Sequence, residues 1–400
     1  MLKLNPKILS WARETAGLSL PQAAQAVGIK ESRGRSGGER LAALEAGDEE
    51  PSRSQLVRMA RVYRRSLLVF YLDQQPTKGD RGQDFRTMPG SDPPLYDATL
   101  DALIRDVRGR QRIMRSLRED AESEHLKFVG SANINLPAEA LAENIVQEIE
   151  FSLREFRSQD SIEDAFAYLR SRIEESGIFV LLLGNLGSHH TDISVETFRG
   201  YAIADEIAPV VVVNDHDAKS AWSFTALHEV AHLWLGTTGI SGFRPELRIE
   251  RYCNDVAGEI LLPSREHGDL ARLRLKPSAL LIEDISRFAN ERKISRAMVA
   301  YKLFQLGLVD QGTWKGLTEH FRKAWVASKE QDALSDERKA GGPNYYVVRR
   351  HRLGKALLGL VGRSLGEGLL TPTKAGLLLG VKPRNVDPLI FGETTARGGR

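Results

Sequence analysis

At 400 residues the chain is long enough for two to three domains, and 42% apolar with 27% charged residues excludes disordered and fibrous classes. Formal net charge is +3, yet residues 1 to 75 carry 12 Lys or Arg against 8 Asp or Glu, and residues 337 to 400 carry 12 against 4. The ends thus hold +4 and +8 and leave about −9 between them, so only the ends suit a polyanion. No apolar run approaches the roughly 18 residues of a membrane span, and Arg13 and Glu14 interrupt the short apolar patch that a secretion signal would need. The single cysteine, Cys253, cannot form an intrachain disulfide and suits a reducing compartment, so a cytoplasmic location is expected, with no membrane partner.

The first segment reads as short helices. Pro6 to Ala16 fits one; Ser19 caps a second over Leu20 to Val27, which Gly28 ends; Glu39 to Ala46 forms a third, ended by Gly47. Pro51 and Ser52 open a fourth through Leu56, Met59, Ala60 and Tyr63 at helical spacing. This order is that of a helix-turn-helix module. Its candidate reading stretch, Ser36 to Glu45, offers Arg40 as a base contact but also Glu39 and Glu45, which repel phosphate, so DNA binding and protein docking are both open uses. The Pro- and Gly-rich stretch Gln74 to Pro94 marks a boundary.

Helical patterns follow over Tyr96 to Glu124, Pro137 to Phe156 and Asp160 to Gly177. The apolar, β-branched runs Ile178 to Leu183, Glu196 to Asp205 and Pro209 to Asn214 read as three strands. Helices resume at Trp222 to Leu235, Glu250 to Leu262, Ile282 to Leu308 and Thr313 to Ala327, and a small basic helical unit follows from Tyr345. The chain therefore reads as α+β in four parts. These are an all-α helix-turn-helix domain (1–73), a linker and helical arm (74–136), a mixed domain with a small β-sheet (137–335) and a basic helical C-terminal region (336–400).

The segment Thr225 to Leu235 reads T-A-L-H-E-V-A-H-L-W-L and sets His228 and His232 one turn apart on one helix face. Two imidazoles so placed can share a Zn²⁺, and Glu229 beside the first is the candidate general base for amide hydrolysis. Such a match also arises by chance; its apolar flanks (Leu227, Val230, Ala231, Leu233) favour the metal reading, because unpaired buried imidazoles are costly. A catalytic zinc needs a third ligand. Glu250, opening the next helix, is the best candidate; Glu259 competes, and Asn254, one turn beyond Glu250, is placed to hydrogen-bond a ligand imidazole. Zn²⁺ or Mn²⁺ would satisfy this ligand set. His189 and His190 read as solvated loop residues and Cys253 as a small buried one. For His189 and His190 the lesser alternative is transition-state donation, as it also is for Tyr201 and His216; for Cys253 it is oxidant sensing.

The strand ending at Asn214, F-T-A-L-H-E-V-A-H and E-R-Y-C-N-D-V-A-G-E-I-L-L-P resemble the ImmA/IrrE family of metallopeptidases. The sequence departs from the family's pattern at Cys253 and Val256, where Ala and Phe are usual. L-A-A-L-E-A-G-D-E-E-P-S-R-S-Q-L and F-Y-L-D-Q-Q-P followed by D-F-R-T resemble longer members that fuse a repressor-like (XRE-like) helix-turn-helix to the peptidase. The resemblance implies a zincin (gluzincin-like) zinc metallopeptidase domain over residues 137–335, zinc ligation by His228, His232 and Glu250, catalysis by Glu229, and cleavage of a regulatory protein such as a DNA-bound repressor in transcriptional or stress control. The alternative is a DNA-binding regulator or antitoxin-like protein whose zinc domain is a sensor or scaffold. A broad degradative protease is disfavoured, since free proteolysis in the cytoplasm would be harmful.

Overall fold

A computed structural model of the protein describes residues 4–32, 34–75, 83–84, 98–187, 191–241, 248–273, 278–337 and 344–392. His189, His190 and most of the expected linker lie outside them. The chain is mostly helical with one small sheet, and it divides into two units.

The first unit takes residues 1–81, 87–108 and 185–193. Its N-terminal helices are Pro6–Glu14, Leu20–Val27, Gly37–Ala46 and Arg53–Val62. The last three start on complete capping boxes, Ser19 with Gln22, Ser36 with Glu39 and Ser52 with Gln55, which satisfy the first backbone N–H groups of each. Gly28 and Gly47 end two of them in left-handed geometry. The third helix starts two residues earlier than the sequence suggests, because Ser36 is its cap. Gly37 is required there: a Cβ would stand 2.3 Å from the Ile29 carbonyl oxygen. Ile8, Leu9, Val27, Leu41, Met59 and Phe70 close the core of this unit.

The second unit takes residues 82–86, 109–184 and 194–400. Its sheet has five short strands, β1 (Gln83–Asp84), β2 (Phe179–Leu182), β3 (Gly200–Ile203), β4 (Val210–Val213) and β5 (Gly239–Ser241), in the order β1-β5-β3-β4-β2. β3 runs antiparallel to both β4 and β5, whereas β2 is parallel to β4 and β1 to β5. β2, β3 and β4 are buried throughout, which is why they read as unbroken apolar runs. The expected strand over Glu196 to Asp205 shortens to its second half: the Ser194 hydroxyl and carbonyl take the amides of Glu196 and Thr197 and fold residues 194–198 into a turn.

Against β3 and β4 lies the helix Lys219–Trp234, buried on nearly every face. Helices Arg248–Leu261 and Ile162–Glu175 flank it. A helix apolar all round must sit in the middle of a core, and this one does. Its last carbonyls are taken by another segment, since Gly130 N–H reaches the Leu233 oxygen (3.0 Å) and Ala132 N–H the Trp234 oxygen (2.9 Å). Phe128 stacks on Trp234 at 4.3 Å to fix the same join.

Two expected long helices are broken. Pro137 to Phe156 divides into Ala138–Glu148 and Leu153–Arg157, with Glu150 left-handed (φ 47°) and Ser152 capping the restart. Ile282 to Leu308 divides into Ser278–Glu291 and Arg296–Gln305, with Lys293 left-handed (φ 56°) and Ser295 as the cap. In both, a Ser side chain competes for the backbone and wins, a signal the apolar period hides.

The C-terminal helices Tyr345–Leu353, Lys355–Gly366, Pro372–Leu379 and Val386–Phe391 pack within this unit, the first two against β2. Three of their arginines are engaged internally. Arg349 donates to the carbonyls of Leu379 and Gly380, Arg350 to those of Pro388 and Leu389, and Arg352 pairs with Asp215 at 2.7 Å. The join to β2 is a buried ion pair: Arg170, whose guanidinium also donates to the carbonyls of Val180, His351 and Arg352, with Glu174 at 3.1 Å. Glu174 in turn accepts the amides of Lys355 (2.9 Å) and Ala356 (3.3 Å) and so caps that helix. Gly354 has to be glycine, with φ 80° and room for a Cβ only 2.0 Å from the Glu174 carboxylate. Glu174→Ala is expected to cost about 3–5 kcal/mol in urea unfolding, because it strands a buried guanidinium and uncaps a helix together. A cost under about 1 kcal/mol would show that the pair does not hold the C-terminal helices.

Candidate metal centre

Helical spacing brings His228 and His232 to one face of Lys219–Trp234, and the neighbouring helix Arg248–Leu261 presents Glu250 from its first turn to the same point. His228 Nε2 and His232 Nε2 are 3.1 Å apart. Glu250 Oε2 is 3.3 Å from His228 Nε2, and Oε1 is 3.0 Å from His232 Nε2. A tetrahedral Zn²⁺ with bonds of about 2.0–2.1 Å needs its ligand atoms about 3.3 Å apart, and the two imidazoles stand 3.1 Å from each other and 3.0–3.3 Å each from one of the two Glu250 oxygens. All three side chains are buried, and this is the cluster of three or more His, Cys, Asp and Glu found among the described residues.

The electrostatics of the three are coupled. Burial works to deprotonate His228, but Glu250, Glu229 and a hydrogen bond that the ring donates to Asn254 outweigh it and raise its pKa. For His232 burial prevails and the pKa is lowered, with the neighbouring His228 adding to the effect and Glu250 opposing it. Burial raises the Glu250 pKa, and the two imidazoles more than reverse this, holding the carboxyl at about 2. A permanently ionised carboxylate facing two buried imidazole nitrogens is a donor set for a borderline cation.

Glu229 is fully buried, and the space for its carboxylate is made by β3. A Cβ on Gly200 would stand 2.1 Å from Glu229 Oε1, so any other residue there would displace the acid. The sequence carried this signal, since a lone glycine in a strand marks a close approach. β4 ends in an Asn214 turn: its side chain donates to the Phe198 carbonyl (3.0 Å) and accepts the His216 amide (3.0 Å), which directs the chain into the helix Lys219–Trp234.

Other candidates separate from this point. Glu259 accepts the amide (2.8 Å) and hydroxyl (2.6 Å) of Ser264 at the far end of its helix, so Glu250 and not Glu259 meets the imidazoles. Tyr201 is buried within β3, and His216 lies in the turn after β4. Cys253 is buried, and burial, aided by Glu250 and Glu229, pushes its thiol well above the usual range, which leaves it unreactive. In the first unit the Arg40 guanidinium donates to the Lys30 carbonyl at 2.7 Å, and Glu39 is engaged by Ser36. Among the described residues no helix is long and apolar enough to cross a membrane.

A family model, Peptidase_M78 (IrrE N-terminal-like domain), matches residues 173–304, about a third of the chain, and this span contains His228, Glu229, His232 and Glu250. The match supports a metallopeptidase of the ImmA/IrrE type for that domain. No curated protein and no solved structure gives a significant match.

Proposed function

We propose that the protein is a zinc-dependent metallo-endopeptidase, with His228, His232 and Glu250 as ligands and Glu229 as general base. The observation that carries it is the buried convergence of two imidazole Nε2 atoms, 3.1 Å apart, with the Glu250 carboxylate, whose two oxygens stand 3.3 and 3.0 Å from them, and a second carboxylate beside it in a space cleared by Gly200. A bound Zn²⁺ would supply Lewis acidity at this point, polarising a scissile carbonyl and acidifying a water. Glu229 takes the proton of the attacking water and returns it to the leaving amine, and its burial keeps that proton from exchanging with solvent. Asn254 supports His228 from one turn beyond Glu250.

The substrate class, a regulatory protein such as a repressor, rests on the resemblance to ImmA/IrrE proteins. The same resemblance makes residues 1–73 an XRE-like helix-turn-helix domain, which here would bring the peptidase to its target. Direct DNA contact by Arg40 ranks below protein docking in this reading, because its guanidinium would have to leave the Lys30 carbonyl.

Elemental analysis of the purified full chain tests the metal: about one zinc per chain is expected, and none after zinc is supplied would end the peptidase reading. Gly200→Ala tests the placement of the base. Its Cβ would push the Glu229 carboxylate aside by more than 1 Å, so cleavage of a peptide that the wild type cuts should fall about 100-fold with zinc content unchanged. Unchanged cleavage would mean that Glu229 is not used where it stands.

A further inference from the structure

We infer that Thr237, five residues beyond His232, is a positioning residue that fixes the tautomer of His232 and so aims its Nε2 at the metal. The inference rests on the metal-site reading above and adds a residue to it. Thr237 Oγ1 lies 3.2 Å from the His232 carbonyl oxygen and 2.9 Å from His232 Nδ1. A carbonyl only accepts, so the single hydroxyl hydrogen goes there, and the hydroxyl oxygen can then only accept from Nδ1–H. The proton of the neutral ring is thereby held on Nδ1. Nε2 keeps its lone pair, at 3.1 Å from His228 Nε2 and 3.0 Å from Glu250 Oε1.

The turn that carries Thr237 is built to hold it there. Gly236 is left-handed (φ 65°) and so close to Gly130 that a Cβ would meet the Gly130 Cα at 3.0 Å. Thr237 N–H donates to the same His232 carbonyl (3.0 Å), and the Thr238 hydroxyl accepts the Ala204 amide at the end of β3 (2.9 Å). The hydroxyl is therefore pinned on both sides. With His232 1% exposed, no solvent stands ready to replace it as acceptor for Nδ1–H.

The test compares the zinc affinity of the full-length wild type, Thr237→Val and Thr237→Ser by competition with a chromophoric chelator. Valine keeps the shape and loses the hydroxyl, whereas serine keeps the hydroxyl and loses the methyl. We expect valine to weaken zinc binding about 10–100-fold and serine to stay within about threefold of wild type. Valine within about threefold of wild type, or serine as weak as valine, would overturn the inference and leave the metal site standing. A wild type that binds no zinc would remove the metal site, and this inference with it.

Discussion

Glu229→Gln is expected to retain zinc at the wild-type level and to slow peptide cleavage by a factor on the order of 10²–10⁴. Glutamine fills the same space against Gly200, and the substituted group is outside the ligand triangle, so neither the fold nor the metal site has reason to change. What is lost is the ability to accept a proton. Purified wild type and variant would be compared on a peptide library, or on the regulatory protein once found, with zinc measured on the same samples. Full cleavage by the variant would assign the base to another group. The same variant separates the two readings of the whole protein. If it abolishes the biological effect while zinc content and any DNA binding persist, a regulator whose zinc domain is only a sensor or scaffold is ruled out.

The helix Lys219–Trp234 and its partner Arg248–Leu261 were legible because their constraints are local. Two imidazoles four residues apart must share a helix face, and the apolar residues around them announce burial. The sequence left two acids of one helix as candidates, and of these Glu250 lies beside the imidazoles while Glu259 accepts from Ser264. Thr237 and Gly200 could not be ranked in the same way. Their roles come from contacts across the sheet-to-helix join, at His232 and Glu229, and a threonine after a helix or a glycine in a strand has many commoner uses. Charge is legible only in part. The basic surplus of the C-terminal stretch suggests a surface for a polyanion, and within it Arg349 and Arg350 donate to carbonyls that end neighbouring helices while Arg352 pairs with Asp215. Composition counts charges without saying which of them already have partners.

Glu250→Ala is expected to abolish the response of the protein to zinc. In the wild type, zinc at about 100 times its dissociation constant should add about 2.7 kcal/mol to stability, raising the melting temperature by on the order of 5 °C or more, and a chelator should reverse it. The variant keeps two imidazoles but loses the only anionic ligand, so its affinity should fall by on the order of 10² or more, beyond what loss of a supporting hydrogen bond costs. Its melting temperature should then ignore both zinc and chelator. The pH dependence follows with a definite sign. In the metal-free wild type the Glu250 carboxyl is held at about 2, below its ordinary value of 4.5. A depressed carboxyl contributes stability that is fully present above the unfolded-state pKa and is lost as pH falls from there toward about 2. Glu250→Ala lacks that contribution, so its stability should fall less steeply than the wild type's over the same interval. Zinc binding weakens at higher pH than this, because the raised pKa of His228 makes a proton compete for the ligand nitrogen before the carboxyl titrates. Melting curves between about pH 3 and 8, with and without zinc, read both effects. A variant that still gains several degrees from zinc would mean that Glu250 does not ligate and that His228 and His232 find their third partner elsewhere.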